Sequence, residues 1–186
     1  MKVIGVVGLN GSGKDEVVNY LNKKYGVPLI SVGDIVREIA AKEGIEPTRN
    51  NLDSITKRYF NLFGEGYFVK QIVEKIRKSS WKAVGISGIR SPRDIALVKD
   101  AFKQDFILIH VYISDPQVRY QRILKRGSKR DQSTYAEFLK QDDMSQELFH
   151  IQDSIKLADY SLPNDGSLED MHQAVDKLVA GKGWLK

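Results

Sequence analysis

Cysteine is absent from all 186 residues, so disulfides and thiolate metal sites are both excluded. Three histidines are too few for a His-rich metal centre. No apolar run approaches the roughly 20 residues that span a bilayer, so no membrane partner is expected. Repeats, low-complexity tracts and Pro/Gly/Ser linkers are missing too, which leaves one domain, residues 1–186, rather than a string of modules. The lack of cysteine suits a reducing compartment, and the expected location is the cytoplasm. The opening "MKVIGVVG" is apolar and β-branched but runs straight into a Gly-rich loop, so it reads as a buried strand and not as a signal peptide.

Hydrophobic residues make up 41% of the chain, enough to fill a core without covalent staples. The formal net charge is +5, a balance that suits polyanionic partners. Much of the positive charge lies in "RYQRILKRGSKR", residues 119–130. That run has three readings: a solvated helix face, a nucleic-acid contact, or cations for nucleotide phosphates. Binding of a nucleic-acid strand favours aromatics interleaved with the basic residues, and Tyr120 is the only one there. Nucleic acid is therefore disfavoured as a partner, and the rest of the chain decides between a solvated face and small-molecule nucleotides.

Five short β-branched or apolar runs stand out, at 2–7, 28–32, 83–87, 106–113 and 159–163, with helical patterns between them. Apolar strands alternating with helices predict an α/β fold: a three-layer sandwich whose five-stranded parallel sheet carries helices on both faces. Gly26 closes the first helix. Ser91-Pro92 and Asp115-Pro116 each put a capping residue before a Pro at the first helical position. Ser167-x-x-Asp170 resembles a capping box. Residues 34–82 are too many for one crossover helix, and their pattern predicts helices near 34–43, 52–62 and 66–78. Such a helical insertion commonly walls a binding site above the sheet. Of its aromatics Tyr59, Phe60, Phe63, Tyr67 and Phe68, most are expected in the core and one or two along a pocket. The tail "GKGWLK" reads as a frayed end.

"VVGLNGSGKDEVV", residues 6–18, carries Gly8-x-x-x-x-Gly13-Lys14 between a strand and an amphipathic helix, the context of a phosphate-binding loop. Gly8, Gly11 and Gly13 let the backbone fold tightly around phosphate oxygens. The N–H groups of residues 10 to 14, including those of Asn10 and Ser12, would point inward at a helix N-terminus. Lys14 would reach the β- and γ-phosphates of ATP. The following position normally holds a Ser or Thr whose hydroxyl sits on Mg²⁺; here it is Asp15. After the second strand, Asp34 and Arg37 lie one turn apart and share a helix face, which alone is a surface ion pair. After the third strand comes "SGIRSPRD", with Arg90. Ligands of parallel α/β sheets bind at the carboxyl ends of strands, so Arg37 and Arg90 would converge near the phosphate loop as a site for a second anion. Arg93 reads as a helix-surface residue.

"GLNGSGK", "GDIVR" and "GIRS", in that order and at those strand ends, resemble the nucleoside monophosphate kinase family of P-loop proteins, most closely the small archaeal-type adenylate-kinase-related and dephospho-CoA-kinase-like members. "VRYQRILKRG" is similar to that family's lid, and "ADYSLPNDGSLED" to its segment near the donor base. The resemblance implies a P-loop NTPase fold, with 34–82 as the acceptor-binding insertion and about 119–142 as a short lid. It implies MgATP as donor, with Arg122 stacking on adenine, Arg126 on the phosphates, Asn164 beside the base, and Arg119 and Arg130 as lesser lid residues. Asp34, Arg37 and Arg90 would hold the acceptor. Family members usually carry Asp-Gly where this chain has Ser87-Gly88, and in the family that position flanks the same Mg²⁺ as the residue at 15. The two departures thus read either as one swap, carboxylate and hydroxyl exchanged with the inventory kept, or as decay of the metal site. The implied activity is transfer of the γ-phosphoryl group of ATP to a nucleoside or deoxynucleoside monophosphate. A dephospho-CoA kinase, with Asp34 as base for a ribose hydroxyl, and a non-catalytic nucleotide or nucleic-acid binder are the alternatives.

Overall fold

A computed structural model describes residues 1–128 and 134–185; Arg130 lies outside the described residues. β1 (Lys2–Val7) shows why the sheet is double-faced. Val3 and Val7 enter one core cluster while Ile4 and Val6 enter another, so both sides of the strand are buried. α1 (Lys14–Tyr25) follows the Gly-rich loop and ends at Gly26, whose left-handed backbone (φ 66°) returns its N–H to the last carbonyls. β2 (Leu29–Ser31) is shorter than the run 28–32, because α2 (Val32–Lys42) starts as soon as Ser31 is passed. α3 (Arg49–Phe63) begins earlier than the hydrophobic pattern, since Thr48 accepts a hydrogen bond from the Asn51 N–H and caps it. α4 (Tyr67–Arg77) completes the three-helix insertion before β3 (Ala83–Ser87).

α5 (Pro92–Phe102) starts with a full Ser91/Asp94 capping box, and β4 (Phe106–Tyr112) follows. Asp115 caps α6 (Pro116–Arg126). Then come α7 (Tyr135–Phe149), α8 (Ile151–Lys156), β5 (Tyr160–Pro163) and α9 (Leu168–Lys182), the last with the expected Ser167/Asp170 box.

Among the described residues the sheet has five strands, all parallel, in the order β2-β3-β1-β4-β5. Ile4 pairs with Gly85 of β3 on one side and with Ile107 of β4 on the other, which puts β1 at the centre of the sheet. α4 and α5 cover one face through Ile72, Ile76 and Val98; α1 and α9 cover the other through Val17, Leu21, Met171 and Val175. The expected α/β fold is the one observed. α2, α3 and α4 share a smaller core of Val36, Ala40, Leu52, Ile55 and Phe68, and α6 packs on α7 through Tyr120, Ile123 and Phe138. Among the described residues no helix is long and apolar enough to cross a membrane.

The tail is not frayed. Gly183 closes α9 in a left-handed turn (φ 61°), which brings Trp184 back against Tyr160 with ring centroids 5.4 Å apart. Trp184 is only 7% exposed and belongs to the core cluster under α1 and α9. Trp184→Ala should cost about 3 kcal/mol in denaturant unfolding and leave nucleotide affinity unchanged. A cost below about 1 kcal/mol would return the tail to the surface.

Candidate active site

The loop between β1 and α1 depends on two glycines. Gly11 (φ 79°) and Gly13 (φ 91°) are left-handed, and both are also closely approached. A Cβ on Gly11 would lie 2.7 Å from the Arg119 carbonyl oxygen, and one on Gly13 would lie 2.2 Å from Asn164 Nδ2. Asn164 is buried and donates from Nδ2 to the Ser12 carbonyl at 2.8 Å. Its amide therefore braces the loop from behind, a different placement from the expected contact with ATP. Asn10 Nδ2 and Ser12 Oγ are buried and have no hydrogen-bond partner among the described residues. A buried polar atom without a partner is costly, and donors in a loop at a helix N-terminus fit a phosphate ligand. Gly8 adjoins a small void of about 20 Å³ between this loop and α7.

In front of the loop opens a cavity of about 310 Å³. Lys14, Asp15, Ser87, Arg90, Asp34, Arg37, Asn10 and Arg126 all line it, so most of the site residues read from the sequence converge. Lys14 is partly buried, and its desolvation lowers its pKa to about 8. The Asp15 carboxylate opposes this shift, while the charges of Arg90, Arg49 and Arg126 add to it.

The two departures from the family pattern meet in space. Ser87 Oγ, at the end of β3, donates to Asp15 Oδ1 in the first turn of α1, at 2.5 Å. Among the described residues no cluster of three or more His, Cys, Asp or Glu could hold a metal by itself. Mg²⁺ commonly takes only one or two protein ligands and completes its shell with substrate phosphates and water. One carboxylate and one hydroxyl beside a phosphate loop fit that requirement.

The second half of the cavity is built by the insertion. Asp34 and Arg37 pair across one helical turn, with the Asp34 side chain 60% exposed. Arg90 is held more firmly. Its Nη1 donates to Asp53 Oδ1 at 3.3 Å, its guanidinium lies over the Phe149 ring at 4.7 Å, and its carbonyl accepts from Ser154 Oγ at 2.6 Å. Val36, Leu52, Phe60 and Phe68 supply the apolar wall. Phe60 and Phe68 are thus the pocket aromatics of the insertion, and Phe63 is exposed.

Arg126 reaches the cavity, whereas Arg122 turns to the loop before α9 and donates from Nη2 to the Gly166 carbonyl at 3.0 Å. Arg119 is no lid residue in this arrangement. It is 4% exposed and donates to the Asn10 carbonyl at 3.0 Å and to Asp142 Oδ2 at 2.6 Å.

Three residues of the site escape a sequence reading. Asp53 is buried, although it falls on the apolar face of α3 between Leu52 and Ile55, and an acid on that face was the available sign. Arg49, just after the Thr48 cap, lines the cavity and donates to Asn10 Oδ1 at 3.4 Å. Gln141 reaches Asp53 from α7.

A family model described as an AAA domain matches residues 7–138. A UPF0200 protein of Thermococcus kodakarensis is 36% identical over 180 residues, which cover 95% of this chain and 96% of its own. One of Thermococcus sibiricus is 34% identical over 99% of this chain and 97% of its own. Among solved structures, TT1252 from Thermus thermophilus superposes with a TM-score of 0.62 at 19% identity, covering 97% of each chain. Shikimate kinase from Acinetobacter baumannii in complex with shikimate gives 0.58 at 19% identity, covering 97% of this chain and 94% of that one. A gluconokinase from Sinorhizobium meliloti gives 0.59 at 14% identity with the same coverage. At such identities the likeness is one of fold, the P-loop kinase fold.

The lowered Lys14 pKa has a readable consequence. Above pH 8 the free protein loses the Lys14 proton, while an anionic ligand stabilises the ammonium. Nucleotide binding should therefore take up a proton at pH 8.5 and weaken as pH rises through 8. Folding responds with the opposite sign: the cost of burying the ammonium is full below pH 8 and is relieved between 8 and 10.5. Calorimetric titration with ATP in two buffers of different ionisation enthalpy checks the uptake, and its absence at pH 8.5 would contradict the assignment. Lys14→Met should abolish it.

Proposed function

The chain belongs to the UPF0200 family and carries an AAA domain on a P-loop kinase fold, and from that premise we propose that it is an ATP-dependent phosphotransferase acting on a nucleoside or deoxynucleoside monophosphate. The observation that carries this reading is that Lys14 of the phosphate loop, the Asp15–Ser87 pair and two arginines, Arg37 and Arg90, line one cavity.

Phosphoryl transfer needs alignment and charge neutralisation more than covalent help from the protein. The loop N–H groups and the Lys14 ammonium hold the donor's β- and γ-phosphates. Asp15 and Ser87 would hold Mg²⁺, which when bound neutralises and orients the phosphate oxygens. Their mutual hydrogen bond keeps a carboxylate and a hydroxyl together, as the swap reading requires. Arg37 and Arg90 grip the acceptor's phosphate, and Arg126 offsets charge on the transferred group. Arg122, bonded to the Gly166 carbonyl before α9, would stack on the adenine. α6 and α7 close the cleft's side and keep water from competing for the phosphoryl group.

The alternatives gain less support. A hydroxyl acceptor such as dephospho-CoA wants a carboxylate base, but Asp34 is mostly exposed and paired with Arg37. A nucleic-acid surface wants a continuous basic stripe, but Arg119 is buried against Asp142 and Arg122 is bonded to Gly166.

ADP release from MgATP, screened against ribo- and deoxynucleoside monophosphates and dephospho-CoA, tests the reading. One monophosphate should accelerate release strongly. Arg90→Met should then raise the KM for that acceptor about tenfold or more, the factor one charge-assisted contact carries. A response to dephospho-CoA alone would move the acceptor assignment, and silence with ATP binding intact would favour a non-catalytic nucleotide binder.

A further inference from the structure

α7 sends two adjacent polar side chains to different partners beside the cleft. Successive helical residues point about 100° apart, so Gln141 and Asp142 address different neighbours. Gln141 is buried and donates from Nε2 to Asp53 Oδ2 at 2.7 Å. The other oxygen of Asp53 accepts from Arg90, whose guanidinium also lies over Phe149, the last residue of the same helix. Asp142 accepts from Arg119 at 2.6 Å, and Arg119 passes its second N–H to the Asn10 carbonyl in the phosphate loop. The Arg119 guanidinium lies 4.9 Å from the Phe138 ring, again on α7. Each half of the cleft is thus tied to α7 through one arginine and one carboxylate, and each guanidinium rests on one α7 ring.

The buried stripe of α7 runs through Phe138, Gln141 and Phe149. An apolar residue at 141 would satisfy packing alone. A glutamine there is costly unless bonded, and its bond goes to the carboxylate that orients Arg90. With both oxygens engaged, Asp53 is restrained from rotating, and together with the Phe149 ring it orients the Arg90 guanidinium.

Resting on the phosphotransferase reading, we propose that Gln141 and Asp142 are positioning residues that hold the acceptor arginine and the donor loop in register. Gln141 acts through Asp53 on Arg90, and Asp142 acts through Arg119 on the Asn10 carbonyl. In-line transfer requires two bound anions at a set separation, and one rigid helix that grips both sides supplies it.

The test compares Gln141→Leu with Asp142→Asn in the full chain, each first shown by thermal unfolding to be folded. Three readouts are taken: arginine side-chain NH resonances, ATP affinity by calorimetry, and the KM of the acceptor found in the screen. Gln141→Leu should broaden the Arg90 resonance and raise the acceptor KM about tenfold, with ATP affinity within about twofold of the parent. Asp142→Asn should do the reverse, moving the Arg119 resonance and weakening ATP about fivefold while the acceptor KM holds. Asp53→Asn, which reaches Arg90 from the other side, should reproduce the Gln141→Leu pattern, and it decides the acceptor arm should Gln141→Leu not fold. If each variant moves both affinities alike, or neither, the proposal is overturned. The resonances and ATP affinity need no turnover, so silence in the acceptor screen would count against the function and not against the positioning.

Discussion

The parallel pairing of β1 with β3 is the constraint on which the cleft depends. With Gly5 opposite Ile86, Ser87 ends its strand beside the turn that β1 feeds. Asp15, one residue past Lys14, then comes within hydrogen-bonding distance of it. A one-residue slip would point Ser87 to the other face of the sheet and part it from Asp15. The core that fixes this register is the paired apolar layer on both faces of β1, so the Asp15–Ser87 contact is set by burial far larger in extent than the site itself.

Charge is the second organising theme. Lys14 is partly buried and feels Arg49, Arg90 and Arg126, an arrangement that favours anions and disfavours the free lysine's own charge. Carboxylates moderate it unequally. The Arg37–Asp34 pair is largely exposed, and such pairs contribute little and exchange easily for a ligand. The Arg90–Asp53 pair is part-buried, with Asp53 the enclosed member, and losing the arginine would leave that carboxylate poorly compensated. The side proposed to take the acceptor therefore combines one adaptable arginine with one more firmly held arginine.

Local chemistry is legible in the sequence. The phosphate loop, the Gly26 stop, the caps at Ser91, Asp115 and Ser167 and the five strand runs all rest on neighbours a few residues apart, and each forms, with strand ends shifted by a residue at 28–32, 106–113 and 159–163. The coupling of positions 15 and 87 is readable because a motif supplies both expectations. Asp53, Gln141 and the burial of Arg119 are not, since each acquires its role from a partner between 23 and 109 residues away. The sequence puts Asn164 near the right loop, but its orientation toward Ser12 is set by the closeness of β5 to the loop's back. Trp184 escapes because a Gly-rich tail looks frayed until Tyr160 is seen opposite it.

The central claim is that Asp15 and Ser87 act as one exchanged pair in a working metal site. The most direct measurement is the Mg²⁺-dependent affinity for ATP in Asp15→Thr, Ser87→Asp and the double variant, which restores the usual arrangement of hydroxyl on the loop and carboxylate on the strand. Each single change should weaken Mg²⁺-dependent binding about tenfold, and the double variant should recover most of the loss. A double variant that merely adds the two losses would show that the residues are independent and would contradict the account.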